Sequence, residues 1–402
     1  MGRLLSSFPI NHRERRSFPR HSRFVMPRRA GQHQRKGRRG KPLRDSDSPR
    51  LLDRCEEVDT VWLGKALSIA GHGDAEVSSF ASHPIGAGNV SDTFRVTLDY
   101  ARPTTAPASL ICKFRCSGAA AHAHGIGSGS YLRELESYRA LMHRTDVCRI
   151  PHVYWVDGHA ENINLVMEDL SGTARAGNQV AGCDIADARS VVAELAKLHR
   201  AFYPMAQSEA PPWAMTMAGT ADYWAAAVER GIEVVRTHVA DRLEAWQMGI
   251  ISDAQRRARA WYDMPMLRGT LTHGDPRVDN ILFAADGAVL IDWQVTGWRN
   301  PMHDVGYFLS GSVSVEDRRA HERELLDLYA RIFGDEESYG RDLIEADYRV
   351  QLLSGLMTTI AAYGLLPLSF EVDDLLMALL RRNVAAAADW NAFAAFPSSP
   401  AT

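Results

Sequence analysis

The 402-residue sequence predicts an α+β protein whose strands precede most of its helices, and three observations carry that expectation. Before residue 170 the apolar residues form short strand-like segments. Thr93-Phe94-Arg95-Val96-Thr97-Leu98 alternates, while Ser109-Leu110-Ile111-Cys112-Lys113-Phe114 and Asn164-Leu165-Val166-Met167 are brief apolar runs. From residue 186 onwards apolar residues recur at helical spacing, in stretches at 186–202, 223–246, 253–262, 315–333, 343–363 and 372–390. Within that helical half, Ile281-Leu282-Phe283 and Val289-Leu290-Ile291 flank Asp286-Gly287 and read as a tight hairpin.

The first 50 residues hold 15 Lys and Arg against 3 acids, leaving 31 basic and 46 acidic residues in the remainder. That tail lacks a hydrophobic signal core and an interleaved aromatic pattern, so a disordered segment, or a true start at Met26 or later, is expected rather than a nucleic-acid arm. Leu51, Leu52, Cys55, Val58, Val61, Trp62 and Leu67 then recur at helical intervals and predict a helix over 51–70 that opens the fold. Pro84-Ile85-Gly86-Ala87-Gly88-Asn89-Val90-Ser91 is a turn between strands, and Gly86 and Gly88 permit close backbone approach to a ligand. Lys113 interrupts an apolar strand, where an unpaired ammonium would be costly, so it needs an acid. Leu135, Tyr138, Leu141 and Met142 mark a helix that offers two candidates, Glu134 and Glu136. Between strand and helix, 115–130 shows little periodicity and reads as a flexible connection. His199, at helical spacing with Leu195 and Leu198, reads as packed rather than catalytic.

The chemistry is concentrated in His273-Gly274-Asp275-Pro276-Arg277-Val278-Asp279-Asn280 and, past the hairpin, Ile291-Asp292-Trp293-Gln294. Moving a γ-phosphoryl group leaves little covalent work for a protein and depends on positioning and charge neutralisation. One carboxylate must take the acceptor's proton while an amide and a second carboxylate hold Mg²⁺; Asp275, Asn280 and Asp292 supply that set. Asn280 follows Asp275 by five positions, as in the protein-kinase H-R-D-x-x-x-x-N loop, and Asp292 falls where the metal-binding Asp of D-F-G lies. Gly274 stands in place of the Arg, Trp293-Gln294 in place of Phe-Gly, and no A-P-E follows, which points to a small-molecule hydroxyl acceptor.

On these motifs the chain resembles the aminoglycoside phosphotransferase and choline kinase superfamily over roughly residues 75–390, and His-Gly-Asp-x-x-x-x-Asn with Ile-Asp-Trp-Gln leans to its ecdysteroid-kinase-like branch. The resemblance implies a bilobal protein-kinase-like fold, with a small antiparallel-sheet N-lobe and a mainly helical C-lobe. It implies ATP as phosphoryl donor, Asp275 as catalytic base, and Asn280 and Asp292 as Mg²⁺ ligands. It favours Glu134 as the partner of Lys113 and makes 167–172 a hinge whose backbone near Glu168 and Leu170 meets adenine. His273 and Asp304 become supports of the loop. The expected organisation is a basic tail at 1–50, a helix plus N-lobe at 51–166, the hinge, and a C-lobe at 173–402. Trp293, Gln294 and Trp298 are candidates for acceptor contact, with core filling the commoner use of such tryptophans.

Five cysteines without a C-x-x-C pair suggest neither a disulfide framework nor a zinc site and fit a cytoplasmic protein, and no apolar run reaches membrane-spanning length. Two other classes remain open to the residues: a pseudokinase that binds nucleotide and acts by association, and a metallohydrolase built on His273, Asp275 and Asp292.

Overall fold

The computed structural model describes residues 48–86 and 90–395. These form two compact units, residues 48–143 with 152–169 and residues 144–151 with 170–395.

The first unit is built on five antiparallel strands: β1 (Val77–Pro84), β2 (Ser91–Tyr100), β3 (Ser109–Arg115), β4 (Val153–His159) and β5 (Asn162–Glu168), in the order β1-β2-β3-β5-β4. Period-two alternation sends Leu110, Cys112 and Phe114 of β3 into an apolar cluster with Val96, Trp155 and Val166, and helix α1 (Thr60–Ile69) covers that cluster with Trp62, Leu63, Ala66 and Leu67. Lys113 therefore projects from the opposite face, the side of α3 (Ser130–Leu141), which packs on β4 and β5.

The helix expected over 51–70 starts only at Thr60, where the Asp59 side chain accepts from the Trp62 N–H at 2.7 Å. Leu51–Val58 instead holds only a short 3-10 turn at Cys55–Glu57. Buried Asn164 accepts from the Leu52 N–H at 2.7 Å and donates to the Leu52 carbonyl at 2.8 Å. The apolar spacing read as helical thus belongs to a segment pinned by two amides, since Asn162 also donates to the Leu52 carbonyl at 3.1 Å. The connection read as flexible also differs, because Ala119–Ser128 is a helix, α2, closed by Gly129 at φ 71°. Its Gly125 packs where a Cβ would lie 2.5 Å from Val90 and 2.7 Å from Tyr131, so one of the glycines that hid the helix is a packing requirement.

The second unit carries nine further helices among its described residues, with strand pieces between them. In order come β6 (Ala174–Ala176), α4 (Ile185–Phe202), β7 (Met215–Thr216), α5 (Ala221–His238), α6 (Ala245–Tyr262), β8 (Thr270–Thr272), β9 (Ile281–Ala284), β10 (Gly287–Leu290), β11 (Gly297–Arg299), α7 (Met302–Ser312), α8 (Val315–Phe333), α9 (Glu336–Tyr339), α10 (Arg341–Gln351), α11 (Leu353–Leu365) and α12 (Phe370–Asp389). Strands β10-β9-β6 make one small sheet and β7-β11-β8 another. The hairpin turns at Ala285-Asp286, one residue earlier than expected, since Ala284 pairs with Gly287. The stretch at 343–363 breaks at Leu352 into α10 and α11. There α7 approaches so closely that a Cβ on Gly306 would lie 2.6 Å from the Leu352 Cα. Every residue of α7 is buried, and α4, α10, α11 and α12 pack around it. No helix among the described residues is long and apolar enough to cross a membrane.

Candidate active site

In the first unit the structure pairs Lys113 Nζ with Glu134 Oε1 at 2.6 Å, both side chains almost wholly buried. Glu136, two positions along α3, faces elsewhere and pairs with Arg139 at 2.8 Å. A buried ion pair is costly to split, because either half alone is a desolvated charge. Lys113→Met is accordingly expected to lose about 3 kcal/mol in urea unfolding, and Lys113→Met/Glu134→Leu to regain most of it. A double variant no more stable than the single one would show the two side chains to be uncoupled.

Gly86, two residues after β1, sits at φ 72°, the left-handed conformation that glycine adopts without strain, while Gly88 lies outside the described residues. At the other end of the sheet, the Glu168 N–H donates to the His152 carbonyl at 2.8 Å and the Glu168 carboxylate accepts from the His152 N–H at 3.1 Å. The neighbouring Asp169 side chain binds Ser109 at 2.8 Å and Arg95 at 3.0 Å, which ties β2 and β3 to the end of β5. In the second unit the Leu170 carbonyl takes the N–H groups of Thr173 and Ala174, so it turns the chain into β6.

The second unit assembles the 273–292 motif around Asp304, which α7 presents at full burial. Its Oδ2 accepts from the His273 N–H at 2.7 Å and its Oδ1 from the Gly274 N–H at 3.0 Å; His199 Nε2 from α4 adds a third bond at 3.1 Å. Burial opposes charge on Asp304, yet the bond from His199 and the nearby His303 ring hold it well below the usual carboxylate range. His199 Nδ1 in turn lies 2.9 Å from the Tyr329 hydroxyl in the core. The expectation of a packed His199 is met, and the residues behind it come from α4, α7 and α8.

His273 is fully used by its own loop. The Asp275 N–H donates to Nδ1 at 3.3 Å and Nε2 lies 3.0 Å from the Ile291 carbonyl, while the ring rests 4.6 Å from that of Trp293. Neither ring nitrogen remains for a metal, which removes a ligand from the metallohydrolase alternative. Gly274 sits at φ 89°, and a Cβ there would meet the Val295 carbonyl at 2.3 Å and Arg299 at 2.8 Å. Close approach therefore excludes any larger residue between His273 and Asp275. Burial pushes the Arg299 guanidinium down to about 10, and it donates to Thr272 at 3.0 Å and to the Val295 carbonyl at 3.2 Å.

Asp275 is 5% exposed. Asn280 Nδ2 donates to its carbonyl and to its Oδ2, both at 3.0 Å, while its buried Oδ1 has no hydrogen-bond partner among the described residues. Burial raises its pKa, and Arg277 beside it and Tyr307 from α7 work in the other direction. The hairpin then delivers Asp292: Ile281 pairs with Leu290, the Ile291 N–H reaches the Asn280 carbonyl at 3.1 Å, and Asp292 follows at φ 66°. A left-handed aspartate costs on the order of 1–3 kcal/mol and is tolerated where the surroundings impose it.

The Mg²⁺ implied by the resemblance fits these donors. Asn280 spends its amide protons on Asp275 and keeps its amide oxygen, and Asp292 supplies a carboxylate. No group of three or more His, Cys, Asp or Glu among the described residues suits a metal. A hard ion sharing one amide and one carboxylate with substrate phosphates and water matches such a sparse set. Trp293 and Trp298 fill the core, the latter donating to the Met205 carbonyl at 2.8 Å. Arg277, Arg299, His303 and Tyr307 at this centre were not among the residues that spacing singled out.

His303 carries a pH dependence. Burial lowers its pKa from 6.5 to about 4, against the pull of its Asp304 neighbour. The unfolded chain takes a proton near pH 6.5 that the folded chain refuses until about pH 4. Stability should therefore fall as pH drops through that window, by up to about 3 kcal/mol, and a His303→Asn variant should show a flatter slope. Urea unfolding at pH 7, 5.5 and 4.5 checks this; parallel slopes would refute it.

An antiparallel-sheet unit with a Lys–Glu pair and a mainly helical unit with this loop define a protein-kinase-like fold. Choline kinase from Cryptosporidium parvum Iowa II superimposes on 80% of this chain and 92% of its own at TM-score 0.52 with 12% identity. Choline kinase LicA from Streptococcus pneumoniae matches 80% and 97% at TM-score 0.44 with 14% identity. The ADP-bound aminoglycoside phosphotransferase APH(2'')-Ib matches 79% and 98% at TM-score 0.44 with 16% identity. Among curated proteins none matches the chain in sequence. Residues 86–338 match the ecdysteroid kinase-like family, and the chain belongs to that family.

Proposed function

We propose that this protein transfers the γ-phosphoryl group of ATP to a hydroxyl of a small molecule, a metabolite, natural product or antibiotic. The observation that carries the reading is Asp275: a nearly buried carboxylate, one oxygen fixed by Asn280 and the other without a hydrogen bond, at the head of the Asn280–Asp292 donor pair. A raised pKa makes it a better base than a solvated aspartate, and Asp304 keeps its loop rigid without sharing that chemistry. The acceptor oxygen bonds to the γ-phosphorus as the bond to the bridging oxygen breaks, its electron pair passing to ADP and the hydroxyl proton to Asp275. Lys113 compensates phosphate charge, the backbone around Gly86 and Gly88 cradles the phosphates, and the backbone near Glu168 and Leu170 takes adenine. Bound at Asn280 and Asp292, Mg²⁺ supplies neutralisation of phosphate charge.

The test is ADP formation by the full chain with Mg²⁺ and ATP across aminoglycosides, choline-like amines, steroids and sugar alcohols. Acceptor-stimulated turnover supports a kinase and names its substrate class, whereas nucleotide binding without stimulation by any acceptor favours the pseudokinase alternative. Asp292→Ala is expected to raise the Mg²⁺ concentration needed for half-maximal nucleotide binding by roughly tenfold or more, since an anionic ligand is lost. An unchanged Mg²⁺ titration would place the metal elsewhere.

A further inference from the structure

Five cationic side chains are buried among the described residues, and four of them donate hydrogen bonds. Lys113 reaches Glu134, Arg133 the Ser128 carbonyl, Arg299 Thr272 and Val295, and Arg318 Glu322 and Asp389. Arg277 differs. It is 5% exposed, its Nε is buried with no hydrogen-bond partner, and its one ion pair is the approach of Nε to Asp275 Oδ2 at 3.5 Å. Two residues away, Asp275 Oδ1 is a buried acceptor in the same state. Unsatisfied buried polar atoms are rare because each has given up water for nothing, and two within one loop call for a reason.

A structural salt bridge is a poor one. Charge-assisted bonds between guanidinium and carboxylate close to about 2.7–2.9 Å, usually through both forks, and this contact does neither. Asp275 is held without it, since Asn280 already grips both its Oδ2 and its carbonyl. The Arg277 backbone is fixed as well, its carbonyl accepting the Asn280 N–H at 2.9 Å at the start of the Val278–Asn280 turn. A guanidinium set firmly beside the base, charged and with unspent donors, is arranged for an anion that arrives with the substrate.

We infer that Arg277 is a further catalytic residue: its guanidinium binds an oxygen of the phosphoryl group in transit. The inference rests on the phosphotransferase reading above. As the acceptor oxygen bonds to phosphorus and the bridging oxygen departs with its electron pair, charge spreads over three equatorial oxygens, which a planar fork matches better than a point charge. The acceptor's proton goes to Asp275, and Arg277 remains protonated throughout. Because the contact forms with the planar phosphoryl group, it should lower the barrier without tightening the nucleotide ground state.

Calorimetric titration of the full chain with Mg²⁺–ADP, alone and with aluminium fluoride as a mimic of the transferring group, tests this without knowledge of the acceptor. Wild type should bind ADP roughly 100-fold more tightly with fluoride, as transition-state mimics do. Arg277→Met should lose most of that gain while binding Mg²⁺–ADP within about threefold of wild type, and Arg277→Lys should keep part of it. Arg277→Gln serves if the Met variant unfolds, each variant being judged by its thermal transition. The inference is overturned if Arg277→Met keeps the fluoride gain, if Mg²⁺–ADP binding alone weakens to the same extent, or if wild type shows no gain. Absence of Mg²⁺–ADP binding by wild type would instead overturn the phosphotransferase reading itself.

Discussion

Asp275→Asn is expected to lower acceptor-dependent ADP formation by about 10²- to 10⁴-fold, the usual cost of losing a general base. The substitution keeps the shape and leaves an oxygen for Asn280 to donate to, so the loop should stay in place. Affinity for Mg²⁺–ATP should remain within about threefold, because the proposed metal donors are Asn280 and Asp292. Stability should not fall. Burial raises the Asp275 pKa, so its ionised form is disfavoured by the fold at neutral pH, and a neutral amide removes that penalty. A variant with wild-type turnover would end the assignment of Asp275 as base; one with an intact rate but weak nucleotide binding would make it a metal ligand.

Asp304→Asn should do the opposite: the variant is expected to lose about 3–5 kcal/mol, a fall in thermal midpoint on the order of 10 °C. The carboxylate takes three N–H donors, from His273, Gly274 and His199, all buried. An amide offers one oxygen and turns its own N–H groups towards those donors. Activity should fall with stability, since the same bonds fix the loop that carries Asp275. A thermal midpoint within 2 °C of wild type would show that the network is dispensable. These two aspartates, in one site, thus separate base from scaffold by the sign of their effect on stability.

Much of the site was legible because it is local. Asp275 and Asn280 are set by one short turn, and Asp292 follows a hairpin whose register the apolar runs announce, so spacing in the chain is spacing in space. Lys113 was legible as a charge in an apolar strand, but the choice between Glu134 and Glu136 belongs to the packing of α3 on the sheet. Helix α7 escaped because a helix buried on every side has no polar face and hence no period to detect. Asn164 escaped because its role is to hold Leu52, 112 residues earlier. The break at Leu352 reflects the close pass of Gly306, again a contact without local signature.

The sequence by itself determined that a strand-rich part precedes a mainly helical one, and the kinds of ligand atom offered at 273–292, because periodicity and spacing are properties of neighbouring residues. Tertiary structure decided what those atoms do. Asp275 and Asp304 are the same residue type 29 positions apart, yet burial lifts one, while His199 and His303 overcome burial and depress the other. Charge and unspent donors such as those of Arg277 depend on groups that the fold brings together, and that assembly exists only in the folded chain.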